Sequence, residues 1–309
     1  MDFTPSEDQR AIAEAVDALL AQRAGAARAI ELARKDAYDA ELDAALREAG
    51  FLELARGPET SLLDAALLVE SVARAGGTVA IGAGAVVAPL VTDRVLPGPI
   101  ALASAGAAGP VRFAAHARTV LVLDGDAARA VELGAGDAAP VRSSFGFPMG
   151  RFADAILRRG DSLGVGSGAR LANAWRLALA LEAIGAMRAA LDVTIDYTKR
   201  RRQFGHAIGS FQAVQHRLAE CHVWCEGARW LALEAAFHGA PAEACAVAAT
   251  HALAAAERVF AETHQLSGAM GYTREHDLHV FSLRLPALRL ELGGLGAQRR
   301  AVAAARWPS

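Results

Sequence analysis

At 309 residues the chain is long enough for two or three packed units around a shared interior rather than one small domain. Hydrophobic residues make up 53% of it but aromatics only 6%, the balance of an alanine-rich, mostly helical protein. A formal net charge of −2, with acids and bases interspersed, excludes the basic stripe that nucleic-acid binding needs, and 3 cysteines are too few for a disulfide framework.

The opening MDFTPSEDQR has no positive region ahead of an apolar core, and no later apolar run reaches the ~18 uncharged residues of a membrane span, so a cytoplasmic chain without membrane contact is expected. Thr4 as N-cap, Pro5 at the first helical position and Glu7 at the third predict a capped helix carrying Ile12, Val16, Leu19 and Leu20 on one face. Leu42, Ala45, Leu46 and Ala49, closed by Gly50, predict a second helix. Leu62 to Ala75, closed by Gly76 and Gly77, predicts a third.

From Pro97 the texture changes. Turns at PGP, AAGP and DGDA punctuate β-type runs such as VRFAA, TVLVL and AILRR. Helical periodicity returns at Gly166 and continues to the end. The reading is a mainly α chain with a small β insert: residues 1–97 helical, 98–165 a small β unit, and 166–309 a helical bundle.

Several side chains carry candidate chemistry. Cys221, His222 and Cys225 share helical spacing, but no fourth ligand follows at a zinc spacing, so core packing is the expected role. The same holds for Phe145 to Phe152, FGFPMGRF, read as packing of the β unit on the bundle rather than as a lid. Arg200, Arg201 and Arg202 alone would read as a solvated helix face.

Two strings change that reading. Tyr197 to Ile208, YTKRRRQFGHAI, followed by Phe211 and Gln212, resembles the Y-x-x-x-R-x-Q-F-G-x-x-I-x-x-F-Q signature of acyl-CoA dehydrogenases. Gln265 to Asp277, QLSGAMGYTREHD, resembles that family's Q-x-x-G-G-x-G-Y-T-x-E, in the right order and at the right distance, with Ala269 where glycine is usual. The opening FTPSEDQR resembles its first helix. The resemblance implies an acyl-CoA dehydrogenase-like fold: an N-terminal helical domain, a middle β domain, here truncated, and a C-terminal four-helix bundle.

It also implies FAD. In the family the Arg and Gln of R-x-Q-F, here Arg201 and Gln203, reach across a subunit interface to a partner's FAD, a task that suits a guanidinium fork. Phe204, Gln212, Gln265 and Gly268 belong to the same cofactor-binding set, glycine permitting close approach of the backbone. His276 and His279 are read as scaffold beside that interface.

The base that abstracts the α-proton of the thioester is the point of departure. Where many relatives have the Glu of Y-E-G-T, counting from Gln265 lands on Gly293; Glu291, two residues earlier, is expected on a different face. Where other relatives carry the base, before R-x-Q-F, stands Trp175, with Glu182 one or two turns too late. The T-E-P-x-A-G-S-D and W-I-T-N strings of the middle domain are missing between Gly98 and Phe152.

The resemblance is therefore to the shortened subunits of heteromeric α2β2 acyl-CoA dehydrogenases of steroid breakdown. It implies a fuller partner subunit in a heterotetramer, an acyl-CoA substrate and an electron-transfer flavoprotein as acceptor. No catalytic residue is assigned beyond the candidate Glu291. The alternatives are a self-sufficient homo-oligomer using Glu291 and a cofactor-free scaffold.

Overall fold

The computed structural model describes residues 6–106 and 109–307. Helix α1 (Glu7–Arg23) begins at Ser6, whose hydroxyl accepts from Gln9 N at 3.1 Å while the Gln9 side chain accepts from Ser6 N at 3.1 Å. The capping residue is thus Ser6 and not Thr4, and Glu7 is the first helical residue rather than the third; Thr4 and Pro5 lie outside the described residues.

Helix α2 (Ala26–Arg34) was not expected from the pattern, since it buries only Ala29 and Leu32. Helix α3 (Ala40–Glu48) is capped by Asp39, which accepts from Leu42 N at 3.2 Å, and stops at Gly50 with φ 77°. Helix α4 (Leu62–Arg74) stops at Gly76, φ 76°. Both stops are the left-handed glycines that the sequence predicts. A π-turn over Ala83–Val87 runs into the short α5 (Ala88–Val91).

The β unit holds two small sheets. In the first, β1 (Ile100–Ser104) pairs parallel with β3 (Thr119–Asp124), which pairs antiparallel with β4 (Ala127–Glu132), and β4 with β7 (Asp161–Val165). In the second, β2 (Val111–Arg112), β6 (Met149–Phe152) and β5 (Ala138–Val141) run in that order, antiparallel. The expected strand at VRFAA ends after Arg112, because Phe113 turns left-handed at φ 63°. AILRR is no strand: the helical turn α6 (Asp154–Leu157) occupies it, burying Leu157 under the first sheet.

Strand β3 is buried on both faces. Val120 and Val122 pack with Phe152 and Leu157, whereas Leu121 on the opposite face joins the main core. The β unit therefore has its own small core and leans on the helices with its other side.

Helix α7 (Ser167–Arg200) is 34 residues long, about 50 Å at 1.5 Å per residue, and its middle is buried all round. The hairpin β8 (Arg202–Gln203) and β9 (His206–Ala207) leads to α8 (Gln212–Phe237), then α9 (Ala242–Ser267), the short α10 (Leu278–Ser282) and α11 (Arg284–Arg289), and α12 (Gly294–Arg306). α7, α8, α9 and α12 form the bundle, with α9 touching the other three. By length and composition alone α9 could cross a membrane, but it is a packed bundle helix whose Cys245, Ala248, Leu253 and Val259 are fully buried.

Small residues let the helices approach closely. A Cβ placed on Gly185 of α7 would lie 2.4 Å from Glu70 O and 2.7 Å from Ala73 Cβ of α4. Beside this crossing the buried Glu70 carboxylate accepts from Arg229 Nε at 2.9 Å and from Arg188 Nη1, tying α4 to α7 and α8.

Candidate functional site

The two signature strings come together at one end of the bundle. The Tyr197 ring meets the His276 ring edge-on, centroids 5.1 Å apart, so the last turn of α7 is fixed against the segment that follows Gly268. His276 and His279 are used locally: His276 Nδ1 accepts from Leu278 N at 3.3 Å, and His279 Nδ1 lies 2.8 Å from His276 O.

Past Arg201, which closes α7, the chain makes the β8–β9 hairpin. Phe204 and Gly205 occupy its tip at φ 52° and 79°, the backbone that a two-residue type I′ turn demands. The Phe204 ring is 88% exposed and meets the Phe211 ring in a T-shaped arrangement, centroids 6.3 Å apart. Gly268 closes α9 at φ 57°, with open space where a Cβ would stand.

Arg201, Gln203, Phe204, Gln212, Gln265 and Gly268 are all exposed. Among the described residues no carboxylate pairs with the Arg201 guanidinium. An exposed, left-handed aromatic beside exposed donors suits a ligand or surface outside the chain. These residues do not line the cavity that holds Glu291.

That cavity, of about 590 Å³, lies between the β unit and the bundle. Leu102, Val111, Val141, Phe145, Met149 and Leu290 give it apolar walls, and Arg112, Trp175 and Glu291 carry its polar groups on the inner side. Glu291 was expected to face elsewhere. The chain instead kinks at Leu292 (φ 49°, ψ 34°) and Gly293 (φ 77°), so Glu291 and Gly293 both line the cavity.

Glu291 is fully engaged there. Trp175 Nε1 donates to its Oε2 at 2.7 Å, Arg112 Nη2 donates to the same oxygen at 3.3 Å, and Arg112 Nε donates to Oε1. Arg112 Nη1 lies 2.7 Å from the buried Glu182, which also accepts from Gly82 N at 3.3 Å. Burial opposes the charge on Arg112, but Glu182 and Glu291 outweigh it and hold the guanidinium above its ordinary range. Burial pushes Glu182 up, with Arg112 opposing.

Arg284 completes the cluster. It donates to Gly77 O at 2.8 Å, Gly76 O at 3.0 Å and Thr78 Oγ1 at 2.9 Å, and burial lowers it to about 10, still cationic at neutral pH. The Phe147 ring lies between Arg112 and Arg284, each guanidinium 4.9 Å from its centroid. The FGFPMGRF segment therefore packs the β unit onto the bundle through Phe147, while Phe145 lines the cavity.

Sequence reasoning missed this cluster. Arg112 stands 179 residues from Glu291, and Trp175 stands 116 residues from it, so no local pattern could join them. The other candidate dissolves: Cys221 and Cys225 point into the core while His222 is exposed, and no metal-binding group of three or more His, Cys, Asp or Glu occurs among the described residues.

Comparison with known proteins bears on the fold and on the helical half. Residues 166–306 match the family described as acyl-CoA dehydrogenase, C-terminal domain. The acyl-CoA dehydrogenase IpdE2 of Mycobacterium tuberculosis is 40% identical over 116 residues, 37% of this chain and 36% of that protein. FadE34 of the same organism is 38% identical over 144 residues, 45% of this chain and 20% of that protein, so the matched stretch spans about a third of these relatives or less.

A structure of the ChsE4-ChsE5 complex from Mycobacterium tuberculosis superposes on the whole chain and the whole of its own, with a TM-score of 0.77 and 22% identity. The Tcur3481-Tcur3483 steroid ACAD G363A variant gives 0.79 and 24% identity, covering 97% of this chain and 98% of that one. Residues 166–306 thus resemble an acyl-CoA dehydrogenase C-terminal domain, and the chain as a whole shares the fold of these solved structures.

Proposed function

We propose that the chain is one subunit of an FAD-dependent acyl-CoA dehydrogenase, and that it completes the FAD site of a fuller partner subunit without supplying the catalytic base. One contrast carries the reading. The signature residues Arg201, Gln203, Phe204, Gln212, Gln265 and Gly268 face outward, whereas Glu291, the carboxylate lining the chain's own cavity, is held by Arg112 and Trp175.

The outward set fits the cofactor chemically. Arg201 offers a planar fork for diphosphate oxygens, Gln203 and Gln265 offer amide donors, and Gly268 leaves the backbone open to close approach. FAD, when bound, supplies the acceptor for the hydride from the β-carbon of an acyl-CoA thioester. The chain's share is to orient the diphosphate side, and the base that takes the α-proton belongs to the partner.

Likeness to the ChsE4-ChsE5 complex and to a steroid ACAD supports a heteromeric assembly, a heterotetramer, acting on a bulky acyl group such as a steroid-derived CoA ester. An electron-transfer flavoprotein as acceptor and a cytoplasmic setting complete the proposal.

The test is the flavin absorbance spectrum of the chain purified alone and after co-expression with a fuller acyl-CoA dehydrogenase subunit. Flavin only in the co-purified complex is the expected result. Flavin bound by the chain alone would support the self-sufficient homo-oligomer instead, and none in either preparation would support a cofactor-free scaffold.

A further inference from the structure

The cavity between the β unit and the bundle has two unlike ends. At the inner end the donors are already spent. Trp175 has one, which goes to Glu291, and each of the three guanidinium nitrogens of Arg112 faces a carboxylate oxygen of Glu291 or Glu182. A further anion brought there would give up its water and find no donor in exchange. The inner end therefore suits an apolar group.

The open end is different. Leu290, Arg142 and Ser144 line the cavity and are exposed, which places them at its mouth. Leu290, 70% exposed, carries the apolar lining out to the rim. Among the described residues Arg142 has no carboxylate partner. Ser143, next to it, accepts from Phe145 N at 3.1 Å and keeps its own hydroxyl proton to donate. A free guanidinium and a hydroxyl over an apolar chamber of about 590 Å³ match a small amphiphile with one anionic end.

We infer that this cavity is a binding site for a free carboxylic acid with an apolar body, its tail directed inward past Val111 and Met149 and its carboxylate at Arg142. A carboxylate meets the guanidinium fork with two parallel N–H···O bonds. A thioester of the same acid brings an uncharged carbonyl to that place and leaves the cation unmatched, so the free acid is preferred over its CoA ester. The site uses neither flavin nor base. It is separate from the outward set of Arg201 and Gln203, which do not line this cavity.

The test is isothermal titration calorimetry of the full-length chain, purified alone, with octanoate, 1-octanol, octanedioate and octanoyl-CoA. Wild type is compared with Arg142→Ala and Leu290→Glu. Both replaced side chains are exposed, so both variants are expected to fold. Octanoate is expected to bind wild type one to one and about tenfold more tightly than 1-octanol, the factor that a hydrogen bond to a charged group contributes. Arg142→Ala is expected to bring octanoate down to the level of 1-octanol and to leave 1-octanol unchanged. Leu290→Glu, which sets a like charge at the rim, is expected to weaken octanoate. Octanedioate, whose second carboxylate has to enter the inner end, is expected to bind at least about tenfold more weakly than octanoate.

Equal affinity for octanoate and 1-octanol, or octanoate binding untouched by Arg142→Ala, overturns the inference. Octanedioate bound as tightly as octanoate overturns the inward direction of the tail and the inference with it. Octanoyl-CoA bound as tightly as octanoate, or more so, assigns the cavity to a thioester instead, and binding of none of the four removes the site. No readout involves flavin or a partner subunit, so failure here leaves the shared-FAD reading standing, and the reverse also holds.

Discussion

The indole Nε1 of Trp175 donates a 2.7 Å hydrogen bond to Oε2 of Glu291. Trp175 stands at one place where the resemblance puts a family base, and Glu291 lies two residues before the other, Gly293. Trp175→Phe keeps the ring and removes the donor to a charged acceptor. A loss of about 1.5–3 kcal/mol is expected, read as a lower urea midpoint at unchanged slope.

At Gly185 the backbone of α4 lies directly against α7. Gly185→Ala forces a methyl against Glu70 O and Ala73, with no flexible side chain able to yield. The expected cost is about 1–3 kcal/mol, measured by denaturant unfolding, with the secondary structure unchanged by circular dichroism.

Burial lowers the pKa of His264 below 6.5; its ring lies between Phe260 and Tyr272, with Nε2 3.0 Å from Ser282 Oγ. Burial lowers His276 in the same way, with Asp277 opposing. A depressed folded-state pKa gives stability that is present above 6.5 and is lost as pH falls through the folded value. Thermal melting should therefore weaken on acidification from neutral pH, and His264→Gln should flatten part of that dependence. A slope identical in wild type and variant would count against it.

Burial pushes Cys221 up to about 11 and Cys225 and Cys245 up to about 12. A neutral disulfide reagent at mildly alkaline pH should react with the native chain about 100-fold more slowly than with the urea-unfolded chain, because the thiolate is the nucleophile. Fast native labelling at any of the three would contradict the packing.

Much of the fold was legible because its signals are local. Gly50 and Gly76 stop helices where the pattern ends, and the return of helical period at Gly166 coincides with the start of α7. α2 escaped because it is only 9 residues long, too short for its apolar face to repeat over many turns, and AILRR misled because a short apolar run does not distinguish a strand from a helical turn. The outward face of the site was legible through its two strings. The inward face was not: the direction of Glu291 depends on a left-handed Leu292, and its partner Arg112 arrives from strand β2.

The central claim is that Arg201 and its neighbours serve an FAD held by another subunit. The most direct measurement is the flavin content, per complex, of the chain co-purified with a fuller acyl-CoA dehydrogenase subunit, for wild type and for Arg201→Ala/Gln203→Ala. The account predicts that the variant still co-purifies with its partner but loses most of the flavin, at least about tenfold in affinity, as expected when charge-assisted bonds to phosphate are removed. A variant complex that keeps its full flavin content would contradict it.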